Sequence, residues 1–160
     1  MKVVSVVAIV CLCLLNGCAS PRQAKPPDES SSRSKLEASD EFKIEAAVYD
    51  YLLKKHPWAG GEYTAIFLEG SEDRVAALIK RFPHQVPPLK PDDRKQLRPN
   101  QAALDKDTGK PGILLSAKAM DPTNGVSEAV GSWYGGEAVS GLYAFVLVEM
   151  DGEWTIQSAQ

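Results

Sequence analysis

Between residues 40 and 160 the spacing of apolar positions changes from helical to strand-like. From Asp40 to about His56, Ile44, Val48, Tyr51 and Leu52 recur at helical spacing, with Ala47 on the same side, which predicts an amphipathic helix. Ser39 or Asp40 can cap its start. Glu41 in the first turn and Lys54, Lys55 and His56 in the last complement the helix dipole, and Pro57 stops it. Tyr63 to Leu68 has the composition of a short strand. Gly70-Ser71 then begins a second helix, with Val75, Leu78, Ile79 and Phe82 as its apolar stripe and Pro83 as its end. Residues Pro83 to Pro99 are rich in proline and basic side chains and read as an irregular crossing, with one helical turn at Asp92 to Gln96. Beyond them the pattern is that of strands: Gln101 to Asp105, Gly112 to Met120, Val126 to Tyr134, and a hairpin from Gly141 to Gln157 turning at Asp151-Gly152.

The first hairpin strand is apolar on both faces. Leu142, Ala144, Val146, Val148 and Met150 share one face; Tyr143, Phe145 and Leu147 share the other. Such a strand is expected to be covered on both sides. The order of helix, strand, helix and a run of strands predicts an α+β domain, with two helices packed on one face of a curved antiparallel sheet of about five to six strands. Asp151-Gly152-Glu153-Trp154 matches an Asp-Gly-x-Trp turn. On that motif and this order the domain resembles the cystatin-like or nuclear-transport-factor-2-like group, where the last hairpin often carries such a turn. Asp105-x-x-Thr108-Gly109-Lys110-Pro111-Gly112, followed by Trp133-Tyr134-Gly135-Gly136, is similar to segments of uncharacterised bacterial lipoproteins and implies no activity.

The N-terminal stretch has a different pattern. Lys2 precedes an apolar run, Val3 to Leu15, interrupted only by Ser5. It is shorter than the roughly 20 residues that span a bilayer, and so reads as a signal peptide. Leu15-Asn16-Gly17-Cys18 resembles the lipobox of bacterial lipoproteins. That resemblance implies acylation of Cys18, cleavage before it, and a bilayer as partner. Ala19, where Asp would mark inner-membrane retention, implies the periplasmic face of the outer membrane if the source is Gram-negative. All three cysteines lie at or before Cys18, so no disulfide can form in the rest of the chain. Residues 19–39 are rich in Pro and Ser and contain no aromatic residue. They read as a flexible tether with an end-to-end distance of roughly 25 Å. The expected organisation is a signal peptide at 1–17, the lipidated Cys18 and tether at 18–39, and one globular domain at 40–160.

Composition narrows the chemistry. The chain is 44% hydrophobic and 24% charged with a formal charge of −3, which argues against a nucleic-acid partner. His56 and His84 are the only histidines, and with no cysteine in the domain no metal site or cofactor is expected. Asp105, Asp107 and Gly109 fail the spacing of a calcium loop. Gly109-Lys110-Pro111 lacks the Ser or Thr of a phosphate loop, and Gly131-Ser132-Trp133 is not a nucleophile elbow. No motif argues for catalysis. The expected function is therefore a non-enzymatic module binding a protein partner or an apolar ligand, with Trp58, Trp133, Tyr134, Tyr143 and Phe145 as candidate binding residues. Two alternatives carry their own signatures. An enzyme would need Asp105, Glu128 and His84 converging on a pocket, and an immunity or inhibitor protein would use an acidic face.

Overall fold

The computed structural model describes residues 34–56, 58, 62–93, 102–136 and 139–160. Cys18, the lipobox and most of the expected tether lie outside them. The described end of that tether, 34–39, begins with a helical turn whose Leu36 packs against the core.

Helix α1 spans Asp40–Lys55 and is capped by Ser39, whose Oγ accepts from the Phe42 amide. Strand β1 (Ile66–Leu68) leads into α2 (Glu72–Arg81), and β2 (Leu89–Pro91) follows. Then come β3 (Ala103–Leu104), β4 (Pro111–Ala119), β5 (Val126–Tyr134), β6 (Ser140–Met150) and β7 (Glu153–Ala159). The sheet order is β2-β1-β4-β5-β6-β7, with β3 paired to β4 off this path.

The architecture is α+β, as expected, but the sheet is mixed rather than antiparallel. β1 runs parallel to both β2 and β4, while β4 to β7 form an antiparallel meander. The difference arises at β1, which joins the meander parallel to β4, and at β2, inside the proline-rich segment expected to be irregular. Leu89 to Pro91 extend beside β1, so β1, α2 and β2 make a parallel crossover unit. Leu89 is buried there, which compensates for the weak strand propensity of its neighbours.

Both helices lie on one face. Ile44, Val48 and Leu52 of α1 meet Ile113, Leu115, Phe145 and Leu147 in the main core, with Ile66, Leu68 and Leu78 completing it under α2. The Tyr49 hydroxyl accepts from the Ala117 amide at 3.2 Å and fixes α1 over β4. Gly131 is required beneath α1, because a Cβ there would lie 2.6 Å from Val48 Cγ1 and 2.9 Å from Phe145 Cε2. Arg74 of α2 joins the helices through Glu41 at 3.0 Å and the buried Glu45 at 2.8 Å. Desolvation of Glu45 outweighs the pull of Arg74 and holds its carboxyl above the ordinary range.

Among the described residues the opposite face is covered near β1, where Phe67, Ala65, Ala103 and Leu114 form a small second core. Further along it is open among the described residues. Leu142 is 63% and Met150 59% exposed. The expected second cover for β6 is thus absent there. Cross-strand packing takes its place: Val146 and Val148 are half-buried and pair with Glu128 and Val126 of β5.

The Asp105 to Gly112 segment is a structural clamp. The buried Asp105 carboxylate accepts from Lys90 Nζ of β2 at 3.0 Å to each oxygen, from the Asp107 amide and from the Thr108 hydroxyl. These bonds hold its pKa below the ordinary carboxylate range, the Lys90 bond contributing most. Gly109 takes a positive φ of 68° in the turn.

Candidate functional site

Four of the five residues expected to bind come together on the helix-covered face. Trp133 and Tyr143 rings lie 5.3 Å apart, Trp58 and Trp133 6.5 Å, and Tyr143 and Phe145 5.8 Å. The Trp133 ring crosses the adjacent strand at Gly141, where a Cβ would stand 2.2 Å from its Cζ2. Tyr134, the fifth, does not join them. It is the next residue along β5 and so points to the opposite face.

His56 completes the array. Its ring lies 5.1 Å from Trp58 in a stacked arrangement and 4.3 Å from Trp133. It is also the C-cap of α1, its amide donating to the Leu52 carbonyl. Burial lowers its pKa, and the charge of Lys55 adds to the effect. Among the described residues His56 Nε2 and Trp58 Nε1 are buried without hydrogen-bond partners. Trp58 is buried and Phe145 fully so, which makes much of this array a plug closing the core rather than an open surface.

The candidates for acid–base chemistry are apart. Asp105 is held in its clamp, Glu128 is exposed on the uncovered sheet face, and His84 is exposed just after α2. Among the described residues no cluster of three His, Cys, Asp or Glu side chains could hold a metal ion.

An open groove lies beside the array, between α1 and β7. Its volume is about 480 Å³, within the range of small-molecule sites. Ala47, Asp50, Tyr51, Lys54 and Lys55 form one wall, and Trp154, Thr155 and Ile156 the other. The first set follows the i, i+3, i+4, i+7, i+8 spacing of a single helix face. Tyr51 links groove and plug, its ring edge-on to Tyr143 at 5.7 Å and to Phe145 at 5.2 Å. Trp154 is buried at the groove floor, and its Nε1 donates to Asp40 Oδ1 at 3.2 Å. Lys43 Nζ donates to the Gly152 carbonyl at 3.0 Å, so α1 and the last hairpin are fastened together at this end. The small Ala47 side chain leaves room for the groove farther along. Charge is confined to the rim: Lys54 pairs with Asp50 at 2.7 Å, while Lys55 is exposed and has no ion pair among the described residues.

The groove was not anticipated from sequence. Its signal is Ala47 on the apolar side of a helix whose other positions there are large, together with a last strand nearly free of charge. No protein-family model, curated protein or solved structure matches the chain. No helix among the described residues is long and apolar enough to cross a membrane.

Proposed function

We propose that this chain is a lipid-anchored lipoprotein, on the periplasmic face of the outer membrane if its source is Gram-negative and on the cell membrane otherwise, and that its domain is a non-enzymatic binding module. The α1–β7 groove carries the binding part of this reading. It is open, largely apolar and rimmed by lysines, and the residues expected to perform acid–base chemistry do not converge on it or on one another. The lipobox-like Leu15 to Cys18 segment supports the anchor, and the Pro- and Ser-rich residues after it support a tether that lets the domain turn above the lipid surface. The β4 to β7 meander with α1 across it supports a cystatin-like arrangement, to which the parallel β1–α2–β2 unit is an addition.

Two substitutions test the two halves separately. Cys18→Ser abolishes palmitate incorporation and releases the protein from membranes; unchanged retention contradicts the anchor. Ala47→Arg fills the groove from the helix side and abolishes binding there while the far-UV spectrum is unchanged. Binding that survives this change places the site elsewhere.

A further inference from the structure

We propose that the α1–β7 groove takes an extended peptide that adds to the sheet as a strand along β7, with an acidic side chain meeting Lys55. The inference rests on the reading of this groove as a binding surface and specifies what fills it.

The hydrogen-bond pattern of β7 is the first support. Asp151 and Gly152 have φ of 55° and 81°, a two-residue hairpin turn that makes Met150 and Glu153 a hydrogen-bonded pair. Bonded and non-bonded pairs alternate from there. Glu153 and Thr155 therefore bond to β6, while Trp154 and Ile156 direct their N–H and C=O groups to the free edge. Read from the other end, Ala144 and Gln160 exchange both bonds at 3.0 Å, which with the bulge opposite Val146 and Leu147 gives the same phase. Among the described residues no strand pairs with that edge.

The second support is the position of the groove. Trp154 and Ile156 are the outward-bonding residues, and both also line the groove with their side chains. In an antiparallel added strand, the residues opposite them exchange up to four main-chain hydrogen bonds and point their own side chains into the same groove. Backbone and side-chain recognition thus fall on the same residues of the partner. Ala47 and Tyr51 offer an apolar wall for side chains of Val or Leu size.

Charge gives the direction. α1 runs alongside β7 in the same sense, with Asp40 at Trp154 and Tyr51 at Phe145, which pairs with Ala159. Lys55 therefore stands toward the C-terminal end of β7. The N-terminus of an antiparallel partner arrives there, so an acidic residue two positions before the first apolar one faces Lys55.

The test uses the full chain, isotope-labelled, and the peptide acetyl-Glu-Thr-Val-Thr-Val-Thr-amide. Saturable binding is expected, with the largest amide shifts at Trp154 and Ile156. Methylating both valine nitrogens removes N–H groups aimed at β7 and lowers affinity by at least about tenfold. Methylating the nitrogen of the threonine between them, which faces away, changes it by less than about twofold. Lys55→Glu weakens this peptide and favours one with Lys in place of Glu. Equal binding of both methylated forms overturns strand addition and leaves the groove as a binding site. Failure of every form to bind overturns both.

Discussion

At one edge of the sheet, β2 is three residues long, ends in Pro91 and is pinned through Lys90 to Asp105 and Asp107. At the other, β7 runs seven residues without a proline and with Glu153 as its only charged side chain. Short strands, prolines and lysines are the usual means by which a sheet edge is made unreceptive to another chain. The β2 edge has all three, with α2 packed beside it. The β7 edge has none of them beyond one acidic residue at its start, and a groove follows it. A long bare edge is an aggregation hazard unless something uses it. The contrast supports the proposal that β7 is a surface for a partner, with β2 as a closed end.

Substitutions at each edge sharpen the contrast, and the largest effect is expected at β7. Trp154 is the main anchor of the bare edge to the core, so Trp154→Ala destabilises the domain by about 3–5 kcal/mol in urea denaturation. A loss below about 1 kcal/mol would mean that β7 is held by something other than this contact. Between the two helices, Arg74→Met leaves the buried Glu45 carboxylate without its cation and costs about 3 kcal/mol, partly restored by adding Glu45→Gln. No restoration would show that the loss comes from Arg74 packing rather than from charge.

The β2 clamp predicts a pH signature. The Asp105 carboxyl lies below its ordinary value when folded, so its contribution is present above the ordinary carboxylate pKa. It is lost as pH falls through the lowered folded value. Asp105→Asn is therefore less stable than the parent at neutral pH, and the gap narrows on acidification. A gap independent of pH contradicts the charged clamp. The smallest effect is at the groove rim. Lys55 is exposed and has no ion pair among the described residues, so Lys55→Glu changes stability by less than about 0.5 kcal/mol while reversing the charge preference of the groove.

Much of this arrangement was legible in the residues. Ser39, the stripe from Ile44 to Leu52, and Pro57 marked α1, because capping and apolar spacing agreed there. Asp151-Gly152 marked the last hairpin, since a turn with two positive φ angles suits few other pairs. The aromatic array was legible in part: Trp58, Trp133, Tyr143 and Phe145 converge, whereas Tyr134 follows strand alternation to the other face. β2 was hidden because Lys90 and Pro91, with Pro87 and Pro88 just before them, oppose strand propensity, and only its place beside β1 makes it a strand. The groove was hidden for a related reason. It exists because Ala47 is small where the outer edge of β7 has no strand partner among the described residues, and pairing between distant segments is not written in local spacing.

The central claim is that β7 presents a free hydrogen-bonding edge, and residue-resolved amide hydrogen exchange on the full chain tests it most directly. The expected pattern alternates: Thr155 and Ser158 are protected through their bonds to β6, while Trp154 and Ile156 exchange rapidly and become protected when the peptide is added. Equal, high protection of all four amides in the unliganded protein would show that the edge is already covered and would contradict the account.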